Sequence, residues 1–520
     1  MPGVDYIIPN MSYLKGKEKN IRGVIITHGH YDHIGAIPHT IPAIGNPPIY
    51  GLPMTLGIIK KRQTDFKTAP LRIHQIKLNE PIQLGSLKVS LFHINHSIPD
   101  AAGILVETPV GNLAHTGDWK FDFHPVGTEP ADFHRIADIG RNGLLCLMGD
   151  STNAVMPGQQ TSEKDIGKTI EGILKEAPGR VIIGTFASLL SRVKMIVEFA
   201  EAQGRKVALD GYSMKTNVEI AKELGYIKAS MKTFIPIDKI NDYAPEKVVV
   251  VCTGAQGERN AALMRMANDE HRSVTIMAGD TIVFSSSIIP GNERSVQRVK
   301  DLLYRKRAKV VHYQMMDVHA GGHAKKEDIK LMLSLMKPKY YVPIEGNHFL
   351  LRENAEVAYS LGWKEDRVFV PDNGQVLEFT KPMGDGELGE GRLTDERVPA
   401  DYVYVDGLGV GDVSNVVLRD RQVLAEDGMV VVIAQIDGKT GKLVGSPDII
   451  SRGFIFMKEN RELIQETRLR IKKTITSHER KGSGSADLDH IKNTLRNNIG
   501  QFLFQRTERR PMVLPVVIEV

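Results

Sequence analysis

Cysteine is almost absent: two among 520 residues, Cys146 and Cys252, each set in an apolar run (LLCLM and VVVCT). That excludes a disulfide framework and suits small buried hydrophobes in a reducing compartment. No apolar run approaches the roughly 18 residues that a membrane helix needs. The opening MPGVDYIIPN also lacks the basic and apolar regions of a signal peptide. The expected location is the cytoplasm, with no membrane partner. Neither charge is in excess, since 67 Lys+Arg against 62 Asp+Glu leave +5. Attraction to a polyanion would have to come from local runs such as Tyr304–Arg307 and Arg506–Arg510, and most such runs are solvated faces. Glycine and proline follow no fixed period and apolar content is ordinary, which excludes a collagen-like or disordered chain. At roughly 100–200 residues per domain, the length suggests about three globular domains.

The first two-thirds alternates short β-branched runs with amphipathic stretches. Residues 23–27, 181–184 and 247–251 read as buried strands, and 163–176 and 191–202 as helices, which is an α/β pattern. Loops that follow the C-terminal ends of such strands commonly carry chemistry. Residues 381–397 (KPMGDGELGEGRLTDER) shift to Gly, Glu and Asp and read as a domain boundary or surface loop. Beyond them, 428–436 and 512–518 are strand-like, 459–475 has helical spacing and 481–486 (KGSGSA) reads as a flexible loop. A small α/β C-terminal domain is therefore expected, with no solenoid repeat anywhere.

The 17 histidines are unevenly spread, and the densest cluster is His28-Gly29-His30-Tyr31-Asp32-His33, directly after the strand at 23–27. On a tight loop, side chains two apart can converge on one ion while the next Asp-His pair addresses a second. Gly29 would supply the backbone freedom for that turn. One loop cannot complete two metal shells, so ligands must also arrive from distant segments. His96, in HSIPD after the alternating strand 87–94, is one candidate. Asp118, in HTGD after another apolar stretch, is a second, and its carboxylate could bridge two cations.

The order and spacing of HGHYDH, HSIPD and HTGD resemble the metal motifs of the metallo-β-lactamase fold. The resemblance implies that His28, His30 and His96 hold one ion, that Asp32 and His33 hold the other, and that Asp118 bridges them. Further segments narrow it. MGDSTN (148–153), Pro157-Gly158, Ser162-Glu163 and GTFAS (184–188) are similar to the β-CASP nucleases. CTGAQGE (252–258), GDTIVFSSSIIPGNE (279–293), DVHAGGHA (317–324) and DIISRGF (448–454) resemble bacterial ribonuclease J, over the whole length of the chain. The implied fold class is α/β: a metallo-β-lactamase αββα sandwich over 1–162 and, with a linker, 331–400; an inserted β-CASP α/β domain over 163–330; and a small α/β C-terminal domain over 401–520.

The same resemblance implies a metal-dependent ribonuclease that hydrolyses RNA phosphodiesters, 5′-to-3′ from 5′-monophosphate ends and also endonucleolytically, in RNA maturation and decay. Two divalent ions, Zn²⁺ or Mn²⁺, would activate water and clamp phosphoryl oxygens. Asp32, Asp150 and His323 would be the catalytic side chains, with His323 touching the scissile phosphate. The plain structural alternative for Asp150 is a turn cap through Ser151-Thr152. The terminal phosphate needs an anion pocket. Ser188-Leu189-Leu190, opening a helix after a strand, and His319-Ala320-Gly321-Gly322-His323, with two positions lacking Cβ, would make it. Homodimers or homotetramers through the C-terminal domain are implied, as is association with a paralogue.

The sequence departs from this family pattern in three ways. Glu345 stands where the family carries a histidine ligand, so it is expected to complete the second metal site, with His348 as fallback. Leu189 and Gly321 replace polar residues of the phosphate pocket. The family's opening strands, and an Asp that supports the metal loop, would precede the position of Met1, so either the start is misassigned or this domain is expected to lack its usual N-terminal strands. A rival reading follows, a catalytically impaired RNA-binding subunit paired with an active paralogue. A small-molecule hydrolase on the same metal site would leave the HAGGH segment and the inserted domain without a role.

Overall fold

The computed structural model describes residues 4–68, 70–230, 232–381, 388–407, 409–411, 415–438, 440, 442–455, 460–477 and 488–520. They fall into two compact units, Met11–Ala400 and a smaller one joining residues up to Asn10 with Asp401–Val520. Among them no helix is long and apolar enough to cross a membrane. The loop expected at 481–486 lies outside the described residues.

In the larger unit, a six-stranded sheet runs in the order Tyr340–Ile344, Leu144–Asp150, Gly111–His115, Ala102–Thr108, Leu87–His93, Ile82–Leu84. The first three strands are parallel and the rest antiparallel. Val24–Ile25, Ile49–Gly51 and Ile73–Gln75 form a second, parallel sheet. A shared apolar layer, Leu52, Ile76, Leu91 and Ala102 with Ile25 and Ile104 against it, joins the two sheets face to face. Helices Phe133–Arg141 and Lys326–Met336 bury Ile136, Ile329, Met332 and Met336 in one core with Leu144 and Leu147. Helix Lys326–Met336 straddles the boundary expected at 330, because its apolar face belongs to this core.

Between these segments lies a parallel five-stranded sheet in the order Lys206–Asp210, Val248–Cys252, Val181–Thr185, Thr281–Ser285, Lys309–His312. Its three central strands are buried along their whole length, which is why they read as unbroken apolar runs rather than alternating ones. Helices Glu163–Glu176 and Leu190–Ala202 cover one face and helix Glu293–Arg305 the other. Both cysteines are free and buried in strands, and burial pushes the Cys146 thiol up to about 12.

The polar stretch expected to be a boundary or surface loop contains a strand instead. Glu390–Arg397 pairs with Gln375–Thr380 as an antiparallel ribbon. Its polar composition fits an edge: Arg392 and Glu378 bond across the ribbon at 2.8 Å while Leu377 and Leu388 pack on the core around Tyr340.

In the smaller unit, Tyr6–Ile8 pairs antiparallel with Val403–Asp406. A second sheet runs Leu443–Arg452, Met429–Ile436, Met512–Glu519. Alternate residues Val430, Val432, Ala434 and Ile436 bury against Ile471 and Ile475 of helix Arg461–Thr476 and Leu495 and Ile499 of helix Leu488–Thr507. This is the period-two pattern of a sheet covered on one face.

Candidate metal centre

Apart from the loop that carries His323, each segment of the centre leaves a strand at its C-terminal end. Val24–Ile25 leads into Thr27–His33, Leu87–His93 into His96, Gly111–His115 into Asp118, Leu144–Asp150 into Ser151, and Tyr340–Ile344 into Glu345. Backbone bonds lock these turns together, Ala102 N to Thr27 O at 3.0 Å and Thr116 N to Met148 O at 3.0 Å. Gly117 has φ +63° immediately before Asp118, a conformation glycine adopts without strain. Gly29, expected to supply turn freedom, does not take positive φ; its role is close approach, since a Cβ there would lie 2.9 Å from Ile58 Cδ1.

His28 is fully buried and its Nδ1 lies 3.0 Å from Thr27 Oγ1, leaving Nε2 for the centre. That Nε2 is 3.1 Å from His30 Nδ1, which in turn is 3.0 Å from His96 Nε2. The other nitrogen of His96 is 2.7 Å from Gly322 O. Because a carbonyl only accepts, His96 Nδ1 carries the proton and Nε2 offers its lone pair to the centre, the orienting arrangement common at metal sites. His33 Nε2 sits 3.2 Å from Asp118 Oδ2 and 3.6 Å from Asp32 Oδ2.

Ligand-type atoms converge in three groups, His28, His30, His96 and Asp118; Asp32, His33 and Asp118; and Asp118, Asp150 and His323, each within 4.8 Å of one another. Asp118 belongs to all three. Its Oδ1 is buried and has no protein partner among the described residues, a costly arrangement unless something occupies the space. Two ligand nitrogens on a tetrahedral ion at about 2.0–2.1 Å stand roughly 3.3 Å apart, close to the 3.0–3.1 Å between these ring nitrogens. The residues fit divalent cations.

Electrostatics agree with that donor set. Burial holds His28 down to about 2, with His30 and His33 adding to it; burial also lowers His30 to about 4 and His96 well below the usual imidazole range. These rings are therefore neutral at pH 7, the form that ligates. Asp118 stays ionised despite burial, because the hydrogen bond from His33 and the charge of His323 hold its carboxyl down.

Beside the ligands, His323 Nδ1 lies 2.8 Å from Asp150 Oδ2, and His323 Nε2 lies 4.0 Å from Asp118 Oδ2. Asp150 outweighs the burial of His323 and raises it to about 9. Asp150 also fulfils the structural alternative, since its Oδ1 accepts from Thr152 N at 2.9 Å and Thr152 Oγ1 at 2.7 Å. One oxygen closes the turn and the other holds the histidine. Asn354, missed in the sequence, steadies the same corner by donating to Asp150 O at 3.0 Å and Ser151 Oγ at 2.9 Å.

The expected phosphate pocket divides. In the segment His319-Ala320-Gly321-Gly322-His323, a Cβ on Gly322 would come within 2.6 Å of the His96 ring. At the helix start, the amides of Leu189 and Leu190 already donate to Phe186 O at 3.1 Å and Ser188 O at 2.8 Å. Leu189 and Leu190 are each 1% exposed, so they belong to the core and only Ser188 remains of that turn.

Glu345 is not among the converging ligand groups. It sits at φ +56° just past its strand. Desolvation of its carboxyl and the charge of Asp118 raise its pKa, His33 opposes, and Asp150 and Asp32 add to the rise, so it stands within electrostatic reach of the centre. The fallback ligand, His348, faces elsewhere, accepting from Arg352 Nε at 3.2 Å.

Sequence reasoning also passed over a buried ionic group: Lys120, Asp122, Glu163 and Arg192, each at most 3% exposed. Its signal was the alternation Asp118-Trp119-Lys120-Phe121-Asp122-Phe123, charges and aromatics at period two.

Comparison with known proteins agrees with this architecture. Residues 2–137 match the beta-lactamase superfamily domain, 178–303 the ribonuclease J beta-CASP domain and 416–520 the ribonuclease J C-terminal domain. The chain is 38% identical over 517 residues to ribonuclease J 1 of Streptococcus pyogenes, covering 99% of this chain and 90% of that one. It is 35% identical to ribonuclease J2 of Bacillus subtilis, covering 100% and 92%, and 36% identical to ribonuclease J of Thermus thermophilus, covering 100% and 88%. Kinship over the full length of the chain, in a protein whose ligand groups meet at the strand ends, leads to one conclusion: the chain belongs to the ribonuclease J family.

Proposed function

We propose that the protein is a metal-dependent ribonuclease that hydrolyses RNA phosphodiesters, 5′-to-3′ from 5′-monophosphate ends with some endonucleolytic cleavage. The observation that carries this reading is the sharing of Asp118 among three converging groups, one of which contains the Asp150–His323 pair. His28, His30 and His96 would hold one ion, Asp32 and His33 a second, and Asp118 both; Zn²⁺ or Mn²⁺ suits these donors. Such ions supply water activation and charge neutralisation at phosphorus.

The protein's own groups do the rest. Hydrolysis joins a water oxygen to phosphorus, breaks the P–O3′ bond and leaves O3′ needing a proton. His323, with Nδ1 committed to Asp150, presents Nε2 to the centre, where it can contact the phosphoryl oxygen and donate to O3′. Ser188 and the backbone of 319–322 would receive the terminal phosphate. The proposed setting is cytoplasmic RNA maturation and decay, with copies joined through the C-terminal domain as a homodimer or homotetramer.

Incubating the purified chain with 5′-monophosphorylated RNA and Mn²⁺ or Zn²⁺ tests the reading: it requires mononucleotide release. RNA bound without turnover would favour the second reading, an RNA-binding subunit that works with an active paralogue. One observation speaks for that alternative, Glu345 outside the ligand groups. Metal titration of Glu345→Ala separates its roles: a ligand recruited on ion binding costs at least about tenfold in affinity for the second ion, and unchanged affinity removes Glu345 from the ligand set.

A further inference from the structure

The buried ionic group has a geometry that burial alone does not require. Glu163 opens its helix and accepts from one edge of the Arg192 guanidinium, Nε at 3.1 Å and Nη2 at 2.8 and 3.1 Å. Lys120 Nζ stands 3.2 Å from Asp122 and 3.8 Å from Glu163. Two cations face two carboxylates, so the group is neutral. An apolar set of similar volume would commonly fold as well. What an apolar set cannot do is hold a carbonyl. Arg192 Nη1 donates to Val318 O at 2.8 Å, and Ser285 Oγ donates to the same oxygen at 2.7 Å.

Val318 is the residue before His319-Ala320-Gly321-Gly322-His323. In a planar trans peptide the carbonyl of one residue and the amide of the next point in opposite directions. Drawing Val318 O inward therefore turns His319 N–H outward. The far end of the loop is set the same way, with Gly322 O on His96 at 2.7 Å and His323 O on Gln160 Nε2 at 2.9 Å. The amides of His319 and His323 donate to no protein acceptor among the described residues.

We propose that Arg192 is a positioning residue for this loop: by fixing the Val318 carbonyl it aims the His319 amide at an anionic oxygen of the RNA terminus. The proposal rests on the reading above, that the loop receives the 5′-phosphate. Its test uses full-length Arg192→Lys, which keeps a cation beside Glu163 but cannot also bond Val318 O through a fork. Two RNAs of one sequence are compared, with 5′-monophosphate and 5′-hydroxyl ends, and deuterium uptake is followed in peptides covering 318–324 and 181–185.

The expected result is a loss of about tenfold in preference for the phosphorylated end, the worth of one charge-assisted hydrogen bond. That loss should be carried by KM, with 5′-hydroxyl RNA turned over as in the parent and faster exchange in 318–324 only. Unchanged preference and exchange in folded protein would overturn it, as would an equal fall on both RNAs that tracks the melting temperature. Should Arg192→Lys not fold, Ser285→Ala removes the second donor with the ion pair intact, and the same readouts decide. A parent protein that does not distinguish the two ends overturns the 5′-phosphate reading alone, and the exchange measurement then decides for Arg192.

Discussion

Two of the buried polar clusters in the larger unit are built on opposite terms. In the Lys120–Asp122–Glu163–Arg192 group, charges cancel and each side chain has a partner. In the His28–His30–His96–Asp118 group, neutral nitrogens face one another at 3.0–3.1 Å and a carboxylate oxygen has no partner among the described residues. A satisfied cluster is finished by folding. An unsatisfied one is finished by something that arrives later, so the difference between them marks which cluster is the receptor and which the frame.

That contrast breaks at different places under mutation. Asp118→Ala, which touches every ligand group, is expected to abolish measurable RNA cleavage and to empty the centre. Metal analysis after dialysis checks the second point, and added Mn²⁺ should then no longer raise the melting temperature, as it does for any ligand that binds only the folded state. His323→Ala should lower turnover by roughly 10²–10⁴-fold, the range for a positioned proton donor. Metal content should stay at the parent level, and a parallel loss of metal would make His323 a ligand instead.

On the satisfied side, Glu163→Ala strands Arg192 in the core. A loss of about 3–5 kcal/mol is expected, seen in thermal melts, while the ligand groups keep their affinity. The smallest effect concerns Asp210, a third kind of site. Burial raises its carboxyl, but His271 at 2.9 Å and Lys215 at 3.0 Å outweigh that and hold its pKa below the ordinary value. A depressed folded pKa gives stability that is present above the unfolded value near 4 and lost as pH falls through the folded one. The melting-temperature gap between the parent and Asp210→Asn should therefore be widest near neutrality and close in acid. A gap that does not change with pH would remove the linkage.

Legibility in the sequence followed the separation of partners. His28 to His33 was readable because six adjacent residues carry three imidazoles and a carboxylate. His96 and Asp118 were readable because each follows a strand-like run. The free helix-start amides expected at Leu189 and Leu190 were not there, because whether an amide is spare depends on how the preceding turn closes. Residues 390–397 looked like a loop because their partner strand, at 375–380, contributes the apolar contacts. Arg192 was invisible for the same reason: its partners Glu163, Ser285 and Val318 lie 29, 93 and 126 residues away.

By itself the amino-acid order determined local matters: buried parallel strands from unbroken β-branched runs, helices from their period, and which residue types could hold a cation. Only the tertiary structure decided which of these side chains meet, that Asp118 is common to all three groups, that Glu345 stands apart and that a guanidinium sets a distant loop. The physical reason is range. Propensity and periodicity act over a few residues, whereas coordination and charge pairing depend on distances of about 3 Å between atoms that the chain alone leaves far apart.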